Sequence, residues 1–150
     1  MDISEDLQKK LIELISGQDI YLAERALNAL KPEMLNTDIQ LKLSKLFKSS
    51  GFLQKRLILQ KLKEANTLTP EVVMSLSAEI NRLNGALTKN MLELFKLHSV
   101  TDKYTVSEIT RLLKNENRYI SNQACRYLEE IKQLDKKTEK SLEKYKKRNS

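Results

Sequence analysis

This chain of 150 residues repeats its own pattern of apolar residues four times, at intervals of 31 to 34 residues. Each period contains two apolar segments, whose first residues are Leu7, Ile39, Val72 and Val106 for one segment and Leu22, Leu53, Leu87 and Ile120 for the other. Within each segment the apolar residues recur every three or four positions, which is the spacing of one helix face. A period of this length therefore predicts a pair of helices stacked repeatedly into a solenoid, an architecture that favours binding over catalysis.

The composition agrees with a single helical domain. Only three glycines and two prolines occur, so few residues break a helix. The one cysteine cannot form an internal disulfide, which favours a reducing compartment such as the cytoplasm, or the nucleus in a eukaryote. No apolar stretch approaches the roughly 20 residues of a membrane span, so no membrane partner is expected.

Residues that cap helices recur with the same period. Four of them stand three residues before the second segments: Asp19, Ser50, Asn84 and Asn117. Side-chain oxygens of such residues accept hydrogen bonds from first-turn amides, so each is predicted to be the N-cap of a second helix. Among the first helices, Thr69 before Pro70 predicts a helix start, and Thr105 with Glu108 predicts a capping box.

The repeats divide a predicted domain of residues 1–135 into four parts: 4–36, 37–69, 70–103 and 104–135. Four residues are predicted to be buried at equivalent places in the second helices: Leu22, Leu57, Met91 and Ala124. Lys61 stands where the pattern expects a leucine. Residues 136–150 carry seven basic and two acidic side chains and are predicted to be a helical or frayed tail. An irregular bundle of seven or eight helices is the alternative fold.

The segments from Asp19 to Ala26 and from Asn117 to Ala124 share the order of a cap, an apolar residue three positions on, and a small residue four positions later. In these motifs the chain resembles HEAT-like repeats, and the resemblance extends from residue 4 to about 134. The place where such repeats often carry arginine holds Arg25, Arg56, Asn90 and Gln123. The resemblance implies a right-handed superhelix whose second helices line a concave, partner-binding face.

Reactive groups are few. His98 is the only histidine, so a site that needs two histidines is excluded, and its place near a helix end favours a capping or surface role. Cys125 lies on an apolar helix side and is predicted to be buried and inert. Gly17, Gly51 and Gly85 stand singly between helices, where turns explain them. We therefore expect no enzyme, cofactor, metal site or small-molecule substrate.

Charge is unevenly distributed along the chain. Residues 1–36 carry a net charge of −3, residues 37–69 a net of +5 and residues 136–150 a net of +5, while the two repeats between them are neutral. The polar places of the second helices form a predicted basic-to-amide strip that comprises Arg25, Lys55, Arg56, Lys89, Asn90, Gln123 and Arg126.

This strip predicts a non-catalytic scaffold that holds an acidic protein or peptide. An ordinary solvated helix face would look the same in the sequence. The alternative function is nucleic-acid binding by the basic second repeat and the tail. Aromatic residues that could stack on bases are sparse, so this alternative rests on charge.

Overall fold

A computed structural model describes residues 4–149 of the chain, and within that range it confirms an all-α fold without strands. The helices are α1 (Glu5–Ser16), α2 (Ile20–Ala29), α3 (Thr37–Ser49), α4 (Phe52–Leu62), α5 (Pro70–Ser77), α6 (Gly85–Leu97), α7 (Lys103–Arg111), α8 (Arg118–Glu129) and α9 (Lys136–Arg148). Short 3-10 helices follow α2, α5 and α7, at Pro32–Met34, Ile80–Arg82 and Leu112–Lys114. None of these helices is long and apolar enough to cross a membrane.

The chain divides into two compact units, the first ending at Leu76 and the second beginning at Ser77. In the first unit, α1 packs against α2 and α3 against α4, and α1 also contacts α3 while α2 contacts α4. Its core consists of fully buried side chains that include Ile15, Leu30, Leu43, Phe47, Ile58, Leu59 and Leu62. Each of the four helices α1 to α4 therefore contacts both its partner in the pair and its counterpart in the other pair.

In the second unit, α6 packs against α8, and α7 packs against both α8 and α9. The core of this unit includes Met91, Leu94, Phe95, Ile109, Ala124 and Leu128. A buried hydrogen bond of 2.8 Å joins the hydroxyls of Ser77 and Thr105. Since a buried hydroxyl without a partner would be unfavourable, this bond allows two polar side chains to lie in the core.

The residues that precede the helices recur with an almost constant spacing. Before α1, α3, α5, α7 and α9 stand Ser4, Asn36, Thr69, Asp102 and Asp135, at steps of 32, 33, 33 and 33. Before α2, α4, α6 and α8 stand Asp19, Gly51, Asn84 and Asn117, at steps of 32, 33 and 33. The predicted N-caps Asp19, Asn84 and Asn117 are confirmed by bonds from their side-chain oxygens to first-turn amides.

Two predicted caps are wrong. Gly51, not Ser50, is the N-cap of α4, and its N–H donates to Oε1 of Gln54 at 3.3 Å. The Ser50 hydroxyl instead donates to the carbonyl of Leu46, because Ser50 is the C-cap of α3. α7 begins two residues before Thr105, with Asp102 as its N-cap.

Burial follows the same spacing as the caps. Ala26, Ile58, Met91 and Ala124 are buried at steps of 32, 33 and 33, and so are Leu30, Leu62, Phe95 and Leu128. Burial of Met91 and Ala124 is confirmed. Burial of Leu22 is wrong, since it is 41% exposed, and Leu57 is only half-buried. Leu7 and Leu53, the first residues of two predicted apolar segments, are likewise exposed. In the first unit, the buried face of these helices therefore lies next to the face that the apolar pattern predicts.

Lys61 is 6% exposed at a core position, 33 residues before Leu94. Its ammonium donates to the carbonyl of Leu30, the C-cap of α2, at 2.9 Å and pairs with Glu64 at 2.9 Å. A cation at this place is favourable because the C-terminus of a helix carries partial negative charge. Lys61 therefore occupies the position of the expected leucine because its ammonium caps the C-terminus of the neighbouring helix α2.

The C-terminal segment forms a capped helix of its own. Asp135 accepts a hydrogen bond of 2.7 Å from the N–H of Thr138, and α9 extends to Arg148. Leu142 and Tyr145 are buried. The Tyr145 hydroxyl lies 3.0 Å from the hydroxyl of Ser121 on α8. Of the two forms predicted for the tail, the structure has the helical one, and its apolar side is part of the core of the second unit.

Candidate functional site

The seven residues of the predicted strip fall into both compact units. The first unit contains Arg25, Lys55 and Arg56, and the second contains Lys89, Asn90, Gln123 and Arg126. All seven lie on second helices of the pairs, namely α2, α4, α6 and α8.

In the first unit the three cations have different surroundings. Arg25 is exposed, and its guanidinium lies 5.7 Å from the centroid of the Tyr21 ring. Arg56 is exposed and forms no ion pair with another described residue. Lys55 is half-buried, with its ammonium 2.7 Å from the carbonyl of Ser50. Lys55 therefore caps the C-terminus of α3, whereas Arg25 and Arg56 remain directed to solvent.

In the second unit, three of the four predicted residues share one groove, which we call the α6–α8 groove. It has a volume of about 220 Å³ and is lined by Lys89, Leu92, Glu93, Lys96, Gln123, Arg126, Tyr127 and Glu130. Lys89 lies on one wall, on α6, while Gln123 and Arg126 lie on the other, on α8. Asn90 is half-buried on α6 and lies outside this lining.

One end of the α6–α8 groove is crossed by an ion pair between Lys96 and Glu130, whose charged atoms lie 3.0 Å apart. Lys89 and Arg126 are exposed and form no ion pair with any residue in the described range. The groove continues past this pair into a wider cavity of about 640 Å³ that includes Val100 and Ile131. The α6–α8 groove therefore has charged side chains of both signs, and the cations of Lys89 and Arg126 are available to a ligand.

Tyr127 forms part of the floor and is structural. Its hydroxyl donates to the carbonyl of Val100, in the loop after α6. Burial, followed by the nearby carboxylates of Asp102 and Glu130, raises the pKa of the phenol well above its usual range. The ring therefore stays neutral and holds the loop against α8.

A second groove of this unit, the α7–α9 groove, combines two adjoining cavities of about 690 and 90 Å³ that share Thr110, Lys114 and Ser141. Six basic side chains line it: Lys103, Arg111, Lys114, Lys137, Lys144 and Arg148. The single acidic residue of the lining is Asp135. The sequence predicts the cations of α9 as a basic tail, but it does not predict that cations of α7 face them.

The two reactive side chains discussed from the sequence, Cys125 and His98, both lie at helix positions where the structure gives them neighbours. Cys125 is buried, and its thiol donates to Oε1 of Glu129 at 2.9 Å. Burial first, and then the bond and charge of Glu129, raise the pKa of this thiol to about 11. His98 is the C-cap of α6, as expected for a helix-end histidine. In the same range no three residues of metal-binding type come together.

Comparison with known proteins adds no family assignment. The chain matches no protein-family model, and neither the curated proteins nor the solved structures contain a significant match.

Proposed function

We propose that the helix pairs are HEAT-like repeats of a short α-solenoid, with four pairs and a fifth first helix, α9. The regular spacing of the helix starts and of the buried positions supports this proposal. Contacts between like helices support it as well, because α1 touches α3 and α2 touches α4 in the first unit. In repeat proteins each unit buries its apolar side against its neighbours in this manner.

We further propose that the protein is a non-catalytic binding module and that the α6–α8 groove holds an acidic segment of a protein partner. The observation that carries this proposal is the convergence of Lys89, Gln123 and Arg126 on one groove. Two cations without ion pairs and one amide would face the segment from opposite walls. A guanidinium can bind a carboxylate through two parallel hydrogen bonds, so Arg126 is the stronger anchor.

The groove is suited to a protein rather than to a small ion. Leu92 and Tyr127 supply apolar floor, and Lys96 and Glu130 offer polar contacts of both signs at its edge. The lining comes mainly from two packed helices, so few side chains need to be ordered when a partner docks. Association should be faster at low salt, because the unpaired cations steer an acidic partner.

The experiment uses the whole chain with a photo-crosslinking residue in place of Gln123, applied to nuclease-treated cell lysate. Crosslinked peptides are identified by mass spectrometry and tested again with purified partner. We expect a peptide rich in Asp and Glu. Binding of the purified partner should be lost in the double variant Lys89→Glu, Arg126→Glu.

The matched control is Arg25→Glu, Arg56→Glu, which makes the same change in net charge in the first unit. Retained binding in this control, together with loss in the groove variant, supports the proposal. Equal loss in both variants would mean attraction by net charge alone and would overturn it. Loss in the control only would place the site in the first unit and also overturn the assignment to the α6–α8 groove.

A further inference from the structure

We propose that the α7–α9 groove binds the phosphate backbone of nucleic acid, without preference for base sequence. This is a separate activity from the protein binding proposed above, because the two grooves have no lining residue in common. The number, availability and arrangement of the cations in the α7–α9 groove support this proposal.

Five of the six cations are available to a ligand. Arg111 is paired with Glu108 at 3.1 Å, so its charge is largely offset. Lys103, Lys114, Lys137, Lys144 and Arg148 form no ion pair with a residue in the part of the chain that the structure describes. The carboxylate of Asp135 is already used as the N-cap of α9. Its negative charge offsets part of the charge of the nearby Lys103 and Lys137, and the groove keeps a net excess of positive charge.

The cations form two rows. On α9, Lys137, Lys144 and Arg148 are separated by seven and four residues, which keeps them near one face of a helix. Eleven residues at 1.5 Å each make this row about 16 Å long. Across the groove, Lys103 and Lys114 are also eleven residues apart, in the segment formed by α7 and the 3-10 helix after it.

The two rows run side by side. At one end, Lys103 and Lys137 line the same cavity, and both attract the carboxylate of Asp135 electrostatically. At the other end, Lys114 lines the smaller cavity with Lys144 and Arg148. A nucleic-acid strand carries about one phosphate per 3.4 Å of helix axis, so a row about 16 Å long matches about five phosphates. This number is similar to the number of available cations.

Other polyanions fit the groove less well. An anionic membrane would take up an amphipathic helix through its apolar side, but Leu142 and Tyr145 of α9 are buried in the core. An acidic protein segment fits the α6–α8 groove better, because that groove offers an ion pair with both signs of charge, whereas five of the six cations of the α7–α9 groove form no ion pair with another described residue. Because no exposed aromatic ring lines the groove, stacking on bases is not available and the ligand is held by its phosphates.

The experiment measures fluorescence anisotropy of a labelled 20-base-pair DNA duplex of arbitrary sequence with the purified full-length protein. If five phosphates are neutralised, log K should fall with log salt at a slope of about −4.5. Affinity should then fall about 500-fold between 50 and 200 mM salt. A second duplex of unrelated sequence should bind with the same affinity.

The test variant is Lys137→Gln, Lys144→Gln, and the matched control is Lys45→Gln, Lys48→Gln on the exposed side of α3. Both remove two positive charges from helix surfaces, and thermal melting checks that both remain folded. Loss of two phosphate contacts should reduce the slope by about 1.8 and weaken binding about 60-fold at 0.1 M salt. The control should bind duplex like the natural chain.

Three outcomes would overturn the proposal. The first is that no duplex binds at 50 mM salt. The second is that the control loses as much affinity as the groove variant, which would mean attraction by net charge or by the basic second repeat. The third is that poly-glutamate of matched charge competes as well as duplex, which would assign the groove to an acidic protein. None of these outcomes depends on the protein partner of the α6–α8 groove, so the two proposals fail separately.

Discussion

Replacing Ile58 and its neighbour Leu57 by alanine tests the helix register found in the first unit. The apolar pattern predicts that Leu57 is the core residue of α4, whereas in the structure Ile58 is fully buried and Leu57 is half-buried. The two substitutions remove the same number of carbon atoms from adjacent positions of one helix. Leucine and isoleucine differ little in helix propensity, so a difference in stability between the two variants reports on how deeply each side chain is buried.

The expected magnitudes follow from these burials. Ile58→Ala removes three buried carbons, which is about 2.4 kcal/mol of transfer free energy at about 0.8 kcal/mol each. The cavity left behind adds to this, so a loss of about 3 kcal/mol in the free energy of unfolding is expected, within the usual 2–5. Leu57→Ala opens no closed cavity and removes atoms already partly in water, so a loss of about 1 kcal/mol is expected.

The assay is urea unfolding followed by circular dichroism at 222 nm, fitted with a common slope for the natural chain and both variants. Because the chain has two compact units, amide exchange within α4 is measured in parallel, and it should show the same order of stabilities. An equal loss for the two variants, or a larger loss for Leu57→Ala, would refute the register and with it the alignment of Ile58 with Met91 and Ala124.

Two further predictions concern the period and the thiol. Deleting residues 69–101, one period of 33, joins Leu68 to the N-cap Asp102 and should leave a cooperatively melting helical protein. Deleting residues 69–90 instead joins Leu68 to the buried Met91 in the middle of α6 and should unfold the chain. Equal behaviour of the two deletions in thermal melts would contradict the repeat. Iodoacetamide should modify Cys125 about 100-fold more slowly in the folded protein at pH 8 than in the urea-unfolded chain. The reason is that a thiol pKa of about 11 in the folded protein, rather than about 9, lowers the thiolate fraction by that factor. Similar rates in the two states would show that the thiol is not shielded.

Much of the helical architecture can be predicted from the sequence, because caps and apolar spacing act locally. Asp19, Asn84 and Asn117 bond to amides within three residues, so their role is visible in the sequence alone. The start of α4 depends on distant contacts. Gln54 bonds to the carbonyls of Ile15 and Gly17 as well as to the N–H of Gly51, and no local pattern contains that information.

The misread start of α7 has a similar cause. Thr105 has the appearance of a cap, but it is fully buried and its hydroxyl lies within bonding distance of both Ser77 and Asp102. Only the fold brings Ser77 to it. Local sequence alone therefore predicts Thr105 as the start of the helix, whereas Asp102 is the N-cap of α7.

The α7–α9 groove was missed for a different reason, because residues 136–150 were predicted to lie outside the repeats. A signal was present in the sequence. Asp102 and Thr105 recur 33 residues later as Asp135 and Thr138, with the same spacing and the same Asp-to-amide hydrogen bond. Extending the period by one helix would have predicted that α9 lies beside α7. The sequence also predicts Lys55 as part of an exposed basic strip, whereas the structure has it half-buried. Its ammonium binds the carbonyl of Ser50 at the end of α3, and no local pattern in the sequence shows that contact.

The distribution of charge along α9 bears on what this helix does. The last helix of a repeat array needs a polar outer surface for solubility, and lysine and glutamate serve that need equally well. In α9 both glutamates, Glu139 and Glu143, line neither cavity of the α7–α9 groove, whereas three of the seven basic residues, Lys137, Lys144 and Arg148, do. Solubility alone does not require the glutamates of α9 to lie outside the groove. A linear polyanion held along the groove favours that placement, since each further acidic side chain beside Asp135 on the wall would repel a phosphate and cancel the effect of one cation.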